Sequence, residues 1–182
     1  MVQPAGVSAG ATGPVSAAAL VHQALVAAGV AFEQPGPGRF VVTLPGEQKL
    51  ATAASLVVGD YSLSVNAFVA RCPEENAEGV YRWLLGQNRR ARGAYFAVDH
   101  LGDIYLVARI PLAGVGSDEL DRLLGAVLEA ADSGFPRILE MGFASVIRRE
   151  WAWRVARGEP TANLAPFEHL VTGLAGSEHE SH

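Results

Sequence analysis

Charge is scarce in this chain, and cysteine is almost missing. Charged side chains make up 18% of the 182 residues against 49% apolar ones, and Cys72 is the single cysteine. So low a charge fraction excludes an extended, self-repelling chain, and most of the sequence must fold. One cysteine excludes a disulfide framework and a thiolate metal cluster. Cys72 itself reads as a small buried or half-buried residue ahead of a helix, with no histidine close in sequence to activate it. No window reaches the roughly eighteen consecutive apolar residues of a membrane span. The opening MVQPAGVSAGATGPVSAAALV has no basic region before its apolar part. No signal peptide is therefore expected, and the default compartment is cytoplasmic.

The net charge of −5 is unevenly spread. Glu159, Glu168, Glu178 and Glu180 fall within 159–182, which has no Lys or Arg, so the body is nearly neutral. The basic field on which nucleic-acid binding relies is therefore lacking. His22, His100, His169, His179 and His182 show neither paired-helix nor HExxH spacing, so no metal site is expected. Glu178-His179-Glu180 and His182 offer donors, but a frayed tail has no preformed geometry. GPGRF and LPGEQK lack both the Walker spacing and GxGxxG, and no GxSxG elbow occurs. Neither a catalyst nor a cofactor is expected.

What the chain does contain is organised around Ala94 to Leu112, AYFAVDHLGDIYLVARIPL. Two β-branched and aromatic runs flank Asp99-His100-Leu101-Gly102-Asp103, a break of hairpin-loop length. Asp99-His100 imitates an acid/base pair, but in such a loop Asp serves the turn. Residues 1–14 are Ala, Gly, Pro and Ser and read as a disordered tail. Leu20, Val21, Leu25 and Ala28 recur at helical spacing over Val15–Ala28, with Gly29 suited to the left-handed position after the helix. His22 reads as a partly exposed residue of that helix.

Phe32 to Gly38 reads as a Pro/Gly-broken connection. Strands follow at 39–44, 49–58 and 61–70, the last two joined by Gly59-Asp60 in what fits a type II′ turn. Pro73-Glu74-Glu75 opens the next helix, whose apolar stripe holds Val80, Trp83, Leu84 and Ala91. Arg89, Arg90 and Arg92 complement the negative end of its dipole. After the hairpin, Ser117 caps a helix with a clean apolar face from Leu120 to Ala131. Ser133-Gly134-Phe135-Pro136 then breaks or kinks that helix.

A last helix is expected from Pro136 to Arg157. Trp151 and Trp153 lie two apart, so both indoles cannot comfortably face one core. Arg137, Arg148, Arg149, Arg154 and Arg157 outnumber its acids, which makes Trp151, Trp153, Arg148 and Arg149 the candidate partner-binding residues. From residue 159 to 182 the chain reads as an acidic, largely disordered tail. The domain proper is 15–158.

The expected fold is α+β: an antiparallel five-stranded sheet with helices packed on it, in the order α-βββ-α-ββ-α(α). That order, with FVVTLPGEQKL, SLSVNAFVARCPEEN, VYRWLLGQN, YFAVDHLGDIYLVARIPL and GFASVIRREWAWR, resembles actinobacterial members of the YbjN-domain family over about residues 15–160. The resemblance implies a type III secretion chaperone-like fold, among proteins that commonly dimerise and hold extended client segments. It also carries the label of a sensory transduction regulator. It supplies no catalytic residue, and the Arg-rich, Trp-bearing helix and acidic tail extend beyond the chaperone core.

The leading expectation is a non-enzymatic, chaperone-like adaptor. It binds a protein partner through exposed sheet edges and helix surfaces, as a possible homodimer, without nucleic acid or membrane. The alternative is a small-molecule sensor or enzyme with a pocket between sheet and helices, lined by Tyr61, Tyr95, Tyr105, His100 and Arg109.

Overall fold

A computed structural model describes residues 16–172. The tail expected at 1–14 and the stretch 173–182 lie outside the described residues. The first helix, α1 (Ala17–Ala27), is capped by Ser16, whose Oγ accepts the Ala19 N–H at 3.2 Å. Gly29 at φ +67 ends it: the Val30 N–H reaches Leu25 O and the Gly29 N–H reaches Val26 O, the paired bonds of a Schellman motif.

The sheet has six strands where five were expected. They are β1 (Phe32–Gly36), β2 (Arg39–Pro45), β3 (Ala51–Val58), β4 (Ser62–Ala70), β5 (Tyr95–Val98) and β6 (Ile104–Pro111). All neighbours are antiparallel, in the spatial order β1-β2-β3-β4-β6-β5. The additional strand is β1, which the prolines disguise. Phe32 pairs with Val42 and Gly36 with Arg39, while Pro37 and Gly38 (φ +64) make the turn between them. Proline followed by a glycine of positive φ is type II turn chemistry, and Pro35 is tolerated because β1 lies at the sheet edge. The β3–β4 turn also differs. Gly59 does not take the positive φ that a type II′ turn needs there, and its N–H instead donates to Ser62 O at 2.9 Å.

One face of the sheet is fully covered. Phe40 and Val42 of β2, Leu56 of β3, Leu63 and Val65 of β4 and Leu106 of β6 are all buried. Each such side chain contributes about 1.5–3 kcal/mol by leaving water. Over them lie α2 (Ala77–Asn88) and α3 (Ser117–Gly142), and α1 packs on α3. Thr52 is the only buried polar residue among the described ones, and its Oγ1 has no hydrogen-bond partner. Thr52→Val should therefore raise stability by about 1 kcal/mol. A thermal scan checks this, and a lowered melting temperature would show that the hydroxyl is bonded.

Two helix boundaries lie elsewhere than the sequence suggested. The helix α2 begins at Ala77, after Asn76 in the left-handed region at φ 48, so Pro73-Glu74-Glu75 precedes it. The helix α3 runs through Ser133-Gly134-Phe135-Pro136 without interruption and ends at Gly142. Pro136 has no N–H to give the Asp132 carbonyl. Burial of Gly134 and Ile138 on either side holds the turn regardless.

The break falls at Gly142-Phe143 because other groups are waiting there. The Gly142 carbonyl accepts the N–H groups of Glu74 (3.0 Å) and Glu75 (3.1 Å). The Glu75 carboxylate then accepts the Ser145 N–H at 2.6 Å and its hydroxyl at 3.0 Å, capping α4 (Ala144–Arg157) from a distant part of the chain. The Ser145 backbone bond is the largest cause holding the Glu75 carboxyl below its ordinary pKa. Gly158 at φ +66 ends α4.

Beyond it the chain does not trail off at 159. A 3-10 turn at Ala162–Phe167 and a short helix, α5 (His169–Thr172), fold back on α4, with Phe167 buried.

Candidate partner-binding surface

The four residues expected to meet a partner all lie on α4 but divide in role. Arg148 Nε donates to Leu170 O at 3.2 Å, so that guanidinium holds α5 in place. Arg154 works alongside it, bonding Glu150 at 2.6 Å, Pro160 O at 3.1 Å and Asn163 Oδ1 at 3.2 Å. Trp151 is half-buried and Arg149 exposed. Trp153 is 45% exposed, with the Arg157 guanidinium 4.6 Å from its ring centroid. That is cation–π distance, so the guanidinium one turn on covers part of the indole.

Both sheet edges are blunted. On one side β1 carries Pro35, which has no N–H to offer a further strand. On the other, the Asn88 side chain at the end of α2 accepts the Phe96 N–H at 2.8 Å and donates to Phe96 O at 3.0 Å. A side-chain amide here takes the place of a neighbouring strand. Asn88→Ala should cost about 1–2 kcal/mol, two neutral hydrogen bonds on a part-buried strand, with no loss of helix propensity. It should also increase concentration-dependent association, since the freed edge can pair with another chain. Light scattering across a dilution series reads this, and an unchanged monomer fraction would mean that the edge stays covered.

The residues expected to line an interior pocket do not do so. Tyr61 is 88% exposed at the β3–β4 turn. Tyr95, Tyr105 and Arg109 stand on the outer sheet face, and His100 is exposed in the hairpin loop. The space between sheet and covering helices is filled with Leu, Val and Ile. Nor do Asp99 and His100 form an acid/base pair: Asp99 Oδ1 accepts the N–H groups of Leu101 and Asp103, each at 2.9 Å. Gly102, at φ +88, completes that turn. Cys72 is exposed rather than tucked in, with its Sγ 3.8 Å from the Tyr81 hydroxyl. Burial, ahead of the Cys72 contact, raises the Tyr81 pKa.

The outer face of the sheet carries no helix. Across β2 to β6 its outward side chains include Val41, Ala53, Val57, Phe68, Tyr105 and Val107, none of them buried. Phe68 and Tyr105 meet edge to face at 5.5 Å. Arg39 and Arg109 are the only ionised groups on these strands' outer side. Thr43, Ser55, Ser62, Ser64 and Asn66 share this side, so the face is poor in charge but mixed, with its aromatics gathered at Phe68, Tyr95 and Tyr105.

The alternative pocket expected between sheet and helices has a counterpart, but with none of the residues the sequence suggested for it. Between the C-terminal half of α2, β5 and α3 lies an open cleft of about 500 Å³. Trp83 and Phe96 form its floor, and Arg90 and Arg92 are among its lining residues. Trp83, from the expected apolar stripe of α2, packs against the core and also lines this cleft. The signal present was Ala126, Ala130 and Gly134, small residues at i, i+4, i+8 that leave one side of α3 bare.

Residues 17–140 match the family model YbjN, described as "Putative bacterial sensory transduction regulator". The chain belongs to the YbjN family. A relative in Mycobacterium leprae, Uncharacterized protein ML2442, is 54% identical over 133 residues, 73% of this chain and 72% of that one. Another in Mycobacterium bovis, Uncharacterized protein Mb0497, is 52% identical over 139 residues, 75% of this chain and 76% of that one.

Among solved structures, the YbjN fold here is similar to a chain of the HopA1–SchA chaperone–effector complex, at 15% identity and TM-score 0.46. That match covers 64% of this chain and 89% of the other. It is also similar to a chain of the ExoU–SpcU complex from the type III secretion system of Pseudomonas aeruginosa. There the identity is 18% and the TM-score 0.48, with 63% and 93% covered. Among the described residues no helix is long and apolar enough to cross a membrane. Nor do three or more His, Cys, Asp or Glu side chains gather to hold a metal.

Proposed function

We propose that this YbjN-family chain is a non-enzymatic, cytoplasmic adaptor that works as a homodimer and binds a protein partner. The outer sheet face carries this reading, and a second copy of the chain is its occupant. Six strands about 4.8 Å apart, most of them seven to nine residues long, present roughly 600 Å² of projected area. That is the order of the ~800 Å² per partner of a standard interface. The partner meets α4 through Trp153 and Arg149, with half-buried Trp151 beside them, while Arg148 keeps the C-terminal segment in place.

The test has two arms. Tyr105→Glu puts a charge against Phe68 on the outer face, one strand in from the β5 edge, and light scattering should show a dimer becoming a monomer with its melting temperature nearly unchanged. A wild-type monomer at tens of micromolar would sink the dimer. In the second arm, Trp153→Ala with Arg149→Ala should lose stoichiometric proteins that wild-type protein retains from native lysate. Equal capture by both would remove α4 as the contact.

A further inference from the structure

The cleft beside β5 is built differently from the surfaces just described. Its floor is aromatic: Trp83 and Phe96 lie 6.3 Å apart with their rings inclined at 49°. Its geometry is held on two sides. Asn88 fixes the Phe96 backbone through both hydrogen bonds, and Gly134 lets the Phe96 ring reach α3. A Cβ at Gly134 would stand 3.1 Å from Phe96 Cζ and 3.7 Å from Trp83 Cη2. The missing side chain at Gly134 is therefore what seats the two rings against α3.

Cations line the α2 side. Arg90 and Arg92 line the cleft, and Arg89 joins Arg90 and Trp83 around an adjoining shallow depression. Among the described residues none of the three has a carboxylate within 4.0 Å, a state they share with Arg39, Arg71, Arg109, Arg148, Arg149 and Arg157, so what sets them apart is their place beside the rings. The helix dipole accounts for arginines at the end of α2. It does not account for two of them beside an aromatic floor in a space of ligand size. On the α3 side Glu129 is the single acidic lining residue, which disfavours a ligand carrying two negative charges.

We propose that this cleft is a small-molecule site for aromatic monocarboxylates: the ring lies on Trp83 and Phe96, and the carboxylate meets Arg90 and Arg92. Guanidinium groups suit this chemistry because they grip a carboxylate with two parallel hydrogen bonds. The proposal does not depend on the dimer or on α4.

Calorimetric titration of the full chain with 2-naphthoate tests it. Saturable one-to-one binding is expected. Arg90→Gln with Arg92→Gln should weaken it at least tenfold while leaving the melting temperature in place, and Arg71→Gln, outside the cleft, should leave it unchanged. The neutral 2-naphthalenemethanol should bind at least tenfold more weakly than 2-naphthoate. Absent binding, equal binding by the double variant, or equal binding of the neutral compound each overturns the site. Tighter binding of 1-naphthyl phosphate would overturn the carboxylate assignment in favour of a dianion.

Discussion

Gly46→Ala lowers the melting temperature by about 10 °C, one of the two largest effects expected from a single methyl group in this protein. A Cβ at Gly46 would stand 2.5 Å from the Lys49 carbonyl oxygen and closer still to Asp132 Oδ1. Neither neighbour can yield cheaply. The first is backbone. The second accepts the N–H groups of Gln48 and Lys49, each at 2.8 Å, and so ties the β2–β3 connection to α3. Forcing them apart strains the connection and breaks charge-assisted bonds together, about 3–4 kcal/mol in all. In a chain of this size each kcal/mol shifts the midpoint by roughly 2–4 °C.

The pH dependence of the same contact gives a second readout. The Lys49 N–H is the largest cause lowering the Asp132 carboxyl below its ordinary 3.8. A carboxylate with a depressed folded pKa contributes stability that is present above the unfolded value. It is lost as pH falls through the folded one. Wild-type protein should therefore lose part of its stability below about pH 4. Gly46→Ala should show a flatter acid limb, since its bonds at Asp132 are already broken. A variant with unchanged midpoint and acid limb would show that the loop simply moves aside.

Gly142→Ala is the second large effect, about 3 kcal/mol, and it acts on a junction rather than a loop. The new Cβ would meet Pro73 Cβ at 2.9 Å, Val80 Cγ2 at 3.4 Å and Pro73 Cα at 3.5 Å. Pro73 is buried and its ring is rigid, so the segment ahead of α2 must back away from the end of α3. That withdraws the Glu74 and Glu75 N–H groups from the Gly142 carbonyl and the Glu75 carboxylate from Ser145. The damage should therefore spread. Hydrogen exchange is expected to speed up in the first turn of α4 as well as at Glu74 and Glu75. Ser145→Ala keeps the backbone bond and should cost no more than about 1 kcal/mol, the worth of one exposed cap. Exchange confined to residue 142 would overturn this account of how α4 is anchored.

The same junction shows why Pro136 misled the sequence reading. Proline carries a known local cost inside a helix, and nothing local offsets it here. What offsets it is burial of Gly134 and Ile138 against other elements. The true break lies where Gly142 can lend its carbonyl to Glu74 and Glu75, residues far away in sequence. Phe32 to Gly38 misled in the opposite sense. Its prolines and glycines are the turn and edge chemistry of a hairpin, and they look the same as the chemistry of a loop until Phe32 is seen beside Val42.

The candidate surfaces were legible only in part. That Trp151 and Trp153 cannot share one core followed from their spacing along one helix; that Trp153 is the more exposed did not. The cleft did not, because its floor joins Trp83 of α2 to Phe96 of β5, and its width depends on small residues of α3.

Alternation, helical periodicity and turn residues by themselves determined the α+β class, the hairpin around Asp99–Asp103, the end of α1 at Gly29 and the apolar face of α3. These are short-range matters, settled by side-chain direction and by backbone freedom within a few residues. Tertiary structure decided the sixth strand, the end of α3 and the amide of Asn88 closing the β5 edge. It also decided which apolar residues line a core and which line a cleft. Each of those depends on groups brought together across tens of residues, where one element's unpaired donor or missing side chain acquires meaning only from its neighbour.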